Sequence, residues 1–377
     1  MKIAHLIYST QIAGAEKYLL SLLPGLKESG IECCLICVTT PATKERFESF
    51  CSEMEQKRIP TLLLVSNGNF FTVARRISQY LKKNKIINLH SHLFKADILA
   101  VMVRKLFNKN IFLLSTKHGY QEKYLVSWPN HKGKIIRNGY YHISKFIARN
   151  IHEHVAVSKA MAKLYFDLKL TKKQPAYIHH GIELSPSDDW KNDHYKLVDV
   201  QLVITGRLEL MKGHKYLIEA MKIVKNEISQ AKLLVIGDGS QKQKLIDQTK
   251  TLGLENDVVF LGYRDDAYGF ISNADLIILP SLFEPFGLVY IEAFALRIPV
   301  VAFDVPATNE IIQHSETGLL APVLDSQTLA KYIIQLLKSR SERMEISGNA
   351  YTRYKSYFNR QRMIKDTLQW YKTVIKE

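Results

Sequence analysis

The chain has 377 residues, 46% of them hydrophobic and 23% charged, which is too long for one ordinary core and too apolar for a disordered or fibrous protein. Its 52 Lys and Arg stand against 36 Asp and Glu, a formal net charge of +16. Such a surface suits an anionic membrane or a polyanionic substrate, whereas nucleic acid is set aside because the sequence has no zinc-finger spacing and no RNA-recognition signature.

The opening MKIAHLIYST enters a strand directly, without the basic and apolar regions of a secretory leader. No apolar run is long enough to span a bilayer, so the expectation is a cytoplasmic chain that touches a membrane only peripherally, on the cytoplasmic face of the inner membrane. After the first strand, IAGAEKY with Gly14 starts a helix. IECCLICV then reads as a buried parallel strand holding Cys33, Cys34 and Cys37; Cys51 is the fourth cysteine. Cys34 and Cys37 have a C-x-x-C spacing, but a strand sends them to opposite faces and no second Cys or His pair lies at zinc-binding distance. These thiols are expected to be structural.

TLLLV, KIINLHSH, IFLLST, HVAVS and AYIHH continue the alternation of short apolar runs with helical patterns, the mark of a parallel sheet in βα units. Between Lys117 and Lys173 twelve basic residues face three acidic ones. Tyr120, Tyr124, Trp128, Tyr140, Tyr141, Phe146, Tyr165 and Phe166 are interleaved with them, a mixture that fits an anionic membrane interface or a merely solvated basic face.

Past Gly181 the polar stretch IELSPSDDWKNDH reads as a linker. VQLVITG, AKLLVIG, DVVFLG, ADLIILP, IPVVAF and TGLLAP then repeat the βα theme. The expected architecture is α/β: a first Rossmann-like doubly wound domain over 1–183 and a second over 184–356. A terminal helix over about 357–377, with a stripe of Phe358, Met363, Leu368, Tyr371 and Val374, crosses back to the first domain.

Candidate chemistry begins where the strand in VITG ends. Gly206 and Arg207 lie just past its carboxyl end, the side on which open α/β sheets bind ligands, and Lys212 follows five residues later. Arg offers a planar fork and Lys a mobile point charge, a pair suited to a diphosphate, although both also occur in plain surface loops. Further on, SLFEPFGLVYIEAFALRIPVV joins a loop glutamate, Glu284, to Gly287 and an apolar helix carrying Glu292. Free amides at that helix start suit a phosphate or a sugar hydroxyl, and a buried Glu292 needs a hydrogen-bonding partner such as a ribose diol or a structural cation.

Two glutamates with seven residues between them, joined by Pro-Phe-Gly, give the chain an end-to-end resemblance to the retaining glycosyltransferases of family 4, which have the GT-B fold of two Rossmann-like domains facing a central cleft. The resemblance implies that Glu292 binds the nucleotide ribose, Glu284 a donor-sugar hydroxyl, and Arg207 and Lys212 the diphosphate. Phe286, Gly287 and Leu288 fall in the same nucleotide-binding segment. IAGAEKY looks like the family's glycine-rich loop, with Gly14 admitting the donor phosphate. VIGDGS, with Gly237 and Gly239, resembles the turn near the nucleotide, and the segment ending in Tyr263 and Arg264 resembles the loop beside the base. His118, in STKHG, aligns with a histidine that reaches the donor sugar, while His90 and His92 are read as cleft-lining or core residues. The chain departs from the family at His180-Gly181, where Asn-Gly is usual, and in having a single glycine in the N-terminal loop.

The implied activity is transfer of a sugar from a nucleotide sugar, UDP before GDP, to a glycan or lipid-linked acceptor, as in synthesis of lipopolysaccharide or another cell-envelope glycan. No Asp-x-Asp triplet is available to hold a divalent ion, so no metal or other cofactor is expected. A nucleotide-sugar epimerase, a sugar phosphorylase and a non-catalytic basic glycan- or lipid-binding protein are the competing readings.

Overall fold

The computed structural model describes residues 1–120, 139–190 and 194–375. Within these the chain forms two compact units, one holding residues 1–120, 139–182 and 359–375, the other 183–190 and 194–358.

The first unit alternates strands and helices in chain order: β1 (Lys2–Tyr8), α1 (Gly14–Glu28), β2 (Glu32–Thr39), α2 (Lys44–Gln56), β3 (Thr61–Val65), α3 (Phe70–Lys83), β4 (Asn88–His92), α4 (Phe94–Met102), β5 (Phe112–Lys117), α5 (Gly139–Arg149), β6 (Glu153–Ala156), α6 (Lys159–Asp167) and β7 (Ala176–Tyr177). The seven strands are parallel, in the order β3-β2-β1-β4-β5-β6-β7. Strands buried on both faces need unbroken apolar runs, and β1 shows the division of labour. Its Ile3 and Ile7 pack with Leu19 and Leu22 of α1 on one face, and its Ala4 and Leu6 pack with Val73 and Leu99 on the other. The cysteines follow the same alternation: Cys37 lies in the first cluster, Cys34 in the second, and all four thiols are free and buried.

The second unit comprises β8 (Val200–Thr205), α7 (His214–Glu227), β9 (Ala231–Ile236), α8 (Lys242–Thr251), β10 (Val258–Gly262), α9 (Ala267–Ser272), β11 (Leu276–Leu279), α10 (Leu288–Ala295), β12 (Val300–Phe303), α11 (Thr308–Ile311), β13 (Leu319–Ala321), α12 (Ser326–Lys338) and α13 (Arg340–Tyr357). Its six parallel strands run β10-β9-β8-β11-β12-β13. In both sheets the strand order reverses beside the first strand, between β1 and β4 and between β8 and β11.

The closing helix α14 (Arg360–Val374) belongs to the first unit. Asn359 caps it by accepting the Arg362 amide at 2.9 Å, and Arg360 Nε donates to the Ser21 carbonyl of α1 at 2.8 Å. Met363, Trp370 and Tyr371 enter the α1 face of the core. Gly25 of α1 permits this close approach, since a Cβ there would stand 2.0 Å from Ile364 Cδ1. Among the described residues no helix is long and apolar enough to cross a membrane.

Candidate active site

In the second unit the functional groups gather at the carboxyl ends of β8 and β11, where the sheet changes direction and open α/β sheets commonly bind ligands. The loop after β8 carries Gly206, with φ of 149°, and then Arg207, which is exposed. Gly206 donates to the Ile236 carbonyl at 3.0 Å and Leu208 to the Asp238 carbonyl at 2.9 Å, which ties this loop to the one after β9. Gly237 makes that fit possible: its φ is 141°, and a Cβ on it would lie 1.9 Å from the Gly206 oxygen. A Cβ on Gly239 would lie 2.6 Å from the Leu208 carbonyl oxygen.

Lys212 ends a short turn, Leu210–Lys212, and Gly213 follows with φ of 69°. A Cβ on Gly213 would lie 1.8 Å from the Pro280 carbonyl oxygen, so only glycine lets the loop after β8 rest on the end of β11. The result is an ion pair between Lys212 Nζ and Glu284 Oε2 at 2.6 Å, with side chains 24% and 10% exposed. Ser281 Oγ reaches the same oxygen at 3.4 Å. The two residues singled out for diphosphate and sugar therefore hold each other here.

Gly287 forms the N-cap of α10 with φ of 101°, and Leu288, partly exposed, opens the helix. The Phe286 side chain is 2% exposed and meets Phe358 edge-on, so its ring fills the core and only its backbone, beside the start of α10, is placed for a ligand contact. Glu292 is buried at 6% exposure. Its Oε1 accepts the Tyr268 hydroxyl at 2.8 Å. Burial, and then the Glu292 charge, raise the Tyr268 hydroxyl above its ordinary range, which keeps it a proton donor. Tyr268 went unnoticed in the sequence because nothing in RDDAYGF marks it; its ring lies 5.6 Å from that of Trp190. Tyr263 is 73% exposed, while Arg264 is gripped by both oxygens of Asp266, Nε at 2.8 Å and Nη2 at 2.6 Å.

In the first unit Gly14 is the opening residue of α1, and Glu16 caps that helix by accepting the Ala13 amide at 2.9 Å. Gly14 does not have a left-handed backbone, so the segment is a capped helix start. His118 follows β5 and is partly buried. Burial, and then neighbouring Lys117, lower its imidazole to about 3, so it is neutral at pH 7. His92 Nδ1 lies 3.1 Å from His118 Nε2. His90 and His92 are core residues, as one of the two expectations had it, and His5 joins them; a polar ring in an otherwise aliphatic strand was the available signal.

The basic stretch is only partly a surface feature. Lys117 is buried and bonded to Asp97 at 2.6 Å with its Nζ over the Tyr165 ring, Tyr120 meets Tyr165 edge-on, and Tyr141 is buried with its hydroxyl donating to the Leu168 carbonyl. Phe146 and Phe166 are exposed at 59% and 44%, beside Ile143 at 53%. Lys123, Lys132, Lys134, Arg137, Glu122, Tyr124 and Trp128 lie outside the described residues.

Comparison with known proteins gives the family of this fold. Residues 12–186 match the family model "Glycosyltransferase Family 4", and residues 188–353 match "Glycosyl transferases group 1". The N-acetyl-alpha-D-glucosaminyl L-malate synthase of Bacillus anthracis is 25% identical over 81% of this chain and 79% of its own length. The capsular polysaccharide biosynthesis glycosyltransferase CapM of Staphylococcus aureus is 27% identical over 62% of this chain and 64% of its own. Among solved structures, Anabaena HepE in complex with UDP and glucose superposes with a TM-score of 0.83 at 21% identity, covering 99% of this chain and 100% of that one. Two parallel Rossmann-like sheets with these matches define a glycosyltransferase, a hexosyltransferase of the GT-B fold. The chain belongs to the family 4 glycosyltransferases, whose relatives include enzymes of bacterial cell-envelope polysaccharide synthesis.

Proposed function

We propose that the chain transfers a hexose from a UDP-sugar, with a GDP-sugar as the second choice, to a glycan or lipid-linked acceptor, with retention of anomeric configuration. The observation that carries this is the meeting of Arg207, Lys212, Glu284 and the N-terminus of α10 around the switch point of the second sheet. Cations and helix amides at that place match a diphosphate, and the buried carboxylate of Glu292 matches a ribose diol. The UDP bound to HepE supports the choice of nucleotide.

In the transfer, the bond between the anomeric carbon and the diphosphate oxygen breaks with its electron pair going to the diphosphate. Arg207, Lys212 and the α10 amides stabilise the charge that collects there. The acceptor oxygen bonds to the anomeric carbon on the face the leaving group vacates, and its proton passes to a diphosphate oxygen. Glu284 accepts a hydrogen bond from a hydroxyl of the sugar, and His118 is the first unit's candidate for contact with a substrate hydroxyl. No metal takes part; complete loss of activity in chelator with rescue by manganese would overturn that part of the reading.

For the acceptor, CapM supports a cell-envelope polysaccharide. Exposed Ile143 and Phe146 share α5 with Lys145 and Arg149, a pattern suited to an anionic leaflet, and with it a cytoplasmic protein lying on the inner membrane. Calorimetric titration with UDP, GDP and their sugar conjugates in the absence of metal tests the donor half. Micromolar binding of one nucleotide, abolished in Glu292→Ala, is expected; binding of none would sink the proposal. Failure to bind anionic vesicles at low salt would remove the membrane.

A further inference from the structure

The face of the first sheet covered by α1 and α14 is aliphatic except at its switch point, where β1 and β4 meet. There His5 pairs in register with His90, and His92 points to the same face two residues on. All three are 0% exposed. Unpaired imidazoles in such a place would cost several kcal/mol of desolvation each, on the order of 2 to 7. They are not unpaired.

Thr116 Oγ1 lies 2.8 Å from His90 Nε2, and His90 Nδ1 lies 2.6 Å from the Tyr371 hydroxyl of α14. The same hydroxyl lies 3.4 Å from His5 Nε2. His5 Nδ1 is 3.0 Å from His92 Nε2, and His92 Nδ1 is 3.1 Å from His118 Nε2. The five links join a threonine at the far end to His118, the only member not deeply buried.

Burial lowers His5 to about 3 and drives His90 and His92 well below the ordinary range, so each ring is neutral and carries one proton. Each nitrogen-to-nitrogen link then needs one donor and one acceptor, and the single Tyr371 proton serves at most one of its two neighbours. Three arrangements satisfy every link: all four histidines protonated on Nδ1, all four on Nε2, or His90 on Nδ1 with the other three on Nε2 and the Tyr371 oxygen accepting from both its neighbours. The 2.6 Å contact between Tyr371 and His90 is shorter than N–H donation usually gives and within the range of O–H donation. Tyr371 therefore donates to His90 Nδ1, and the second arrangement follows along the whole line.

We propose that Thr116, His90, Tyr371, His5 and His92 form a hydrogen-bond wire that fixes His118 as its Nε2–H tautomer, leaving the Nδ1 lone pair to accept a hydrogen bond from a substrate hydroxyl. Tyr371, His5 and His92 are then positioning residues, acting from the core through His118. His118 so held welcomes a hydroxyl and rejects an anion at Nδ1, where two lone pairs would face each other. The link to catalysis rests on the reading of His118 as a group that touches a substrate hydroxyl; the wire itself does not. Ring nitrogens of His5, His90 and His92 also lie within 4.8 Å of one another, close enough to suggest a divalent cation. Every one of those nitrogens already has a hydrogen-bond partner, so a cation would have to break the line.

Histidine-labelled protein gives the test, by two-bond proton–nitrogen correlation spectra at pH 7.5, which read each ring nitrogen. His5, His90, His92 and His118 are expected to be neutral and all Nε2–H. A mixture of tautomers among the four, an imidazolium in the group, or a shift of the three core rings on adding one equivalent of zinc would overturn the wire. Tyr371→Phe cuts it far from the substrate and should let His118 populate both tautomers. Turnover of the nucleotide sugar that calorimetry selects should fall about tenfold in kcat with little change in KM, the scale of one lost hydrogen bond. A Tyr371→Phe protein with a mixed His118 and undiminished kcat would leave the wire standing and instead remove His118 from the substrate hydroxyl. If that variant does not fold, the wild-type spectrum alone decides.

Discussion

Lys212 Nζ lies 2.6 Å from Glu284 Oε2, so the cation meant for a diphosphate and the carboxylate meant for a sugar hydroxyl neutralise each other until a donor arrives. Binding must exchange this pair for two contacts with the ligand. Glu284→Gln releases Lys212 in advance. Its affinity for UDP alone should therefore rise, by up to about fivefold for a partly exposed pair worth at most about 1 kcal/mol. Transfer should nevertheless slow, because the amide cannot hold the sugar hydroxyl as a carboxylate does. Calorimetry with UDP and a transfer assay separate the two effects; weaker UDP binding in Glu284→Gln would show that Glu284 helps hold the diphosphate rather than guarding it.

Arg207 is exposed, and its contribution should fall chiefly on the transition state. Arg207→Ala is expected to lower kcat by about 10²–10³, the scale for one lost stabiliser of developing charge. A rate near that of the wild type would place the charge stabilisation elsewhere.

Gly213 decides where Lys212 stands. With φ of 69° and the Pro280 oxygen 1.8 Å from where a Cβ would be, Gly213→Ala adds backbone strain of about 1 to 3 kcal/mol and must also push the two loops apart. The melting temperature should fall, and UDP affinity should fall more than in a variant destabilised to the same degree far from the loop. Loss of stability with unchanged affinity would show that Lys212 reaches the diphosphate without this contact.

The outline of this chemistry was legible in the sequence because it rests on local signals. Apolar runs at regular spacing marked both parallel sheets, and glycines at 206, 237 and 287 sit where positive φ is needed. Glu292 stood out as a lone charge in an apolar helix. What the sequence hid was pairing across distance. Tyr268 meets Glu292 from another helix, and Lys117, read as part of a basic surface, is neutralised in the core by Asp97. Phe286 belongs to a motif that suggested a ligand contact, and the sequence did not show that its ring packs on Phe358 and leaves that role to its backbone. A linear pattern reports residue type and period, not which side chain a tertiary neighbour consumes.

Tyr268 should behave as a stand-in for the ribose. Tyr268→Phe leaves the buried Glu292 carboxylate without this hydroxyl, which should cost about 1 to 3 kcal/mol in the free protein. A ribose diol restores the missing hydrogen bond, so saturating UDP should raise the melting temperature of Tyr268→Phe more than that of the wild type. Equal shifts in the two proteins would mean that Glu292 keeps Tyr268 as its partner when nucleotide is bound.

The buried histidines set a limit on acid tolerance. His5, His90 and His92 are neutral in the folded chain because burial lowers them from 6.5, His5 to about 3, whereas the unfolded chain takes up protons on all three as pH falls through 6.5. The unfolded state then binds more protons, so stability declines with falling pH, by about 1.4 kcal/mol per pH unit for each histidine. At pH 5 each removes about 2 kcal/mol, and together about 6, a large part of the 5–15 kcal/mol typical of a folded domain. The first unit should lose its structure between about pH 6 and pH 4, ahead of ordinary carboxylate-driven unfolding. Circular dichroism followed against pH, with Trp370 fluorescence as a probe beside His90, checks this. A flat signal down to pH 4 would mean that these imidazoles take up protons while folded, and so that their neutrality is not what burial dictates.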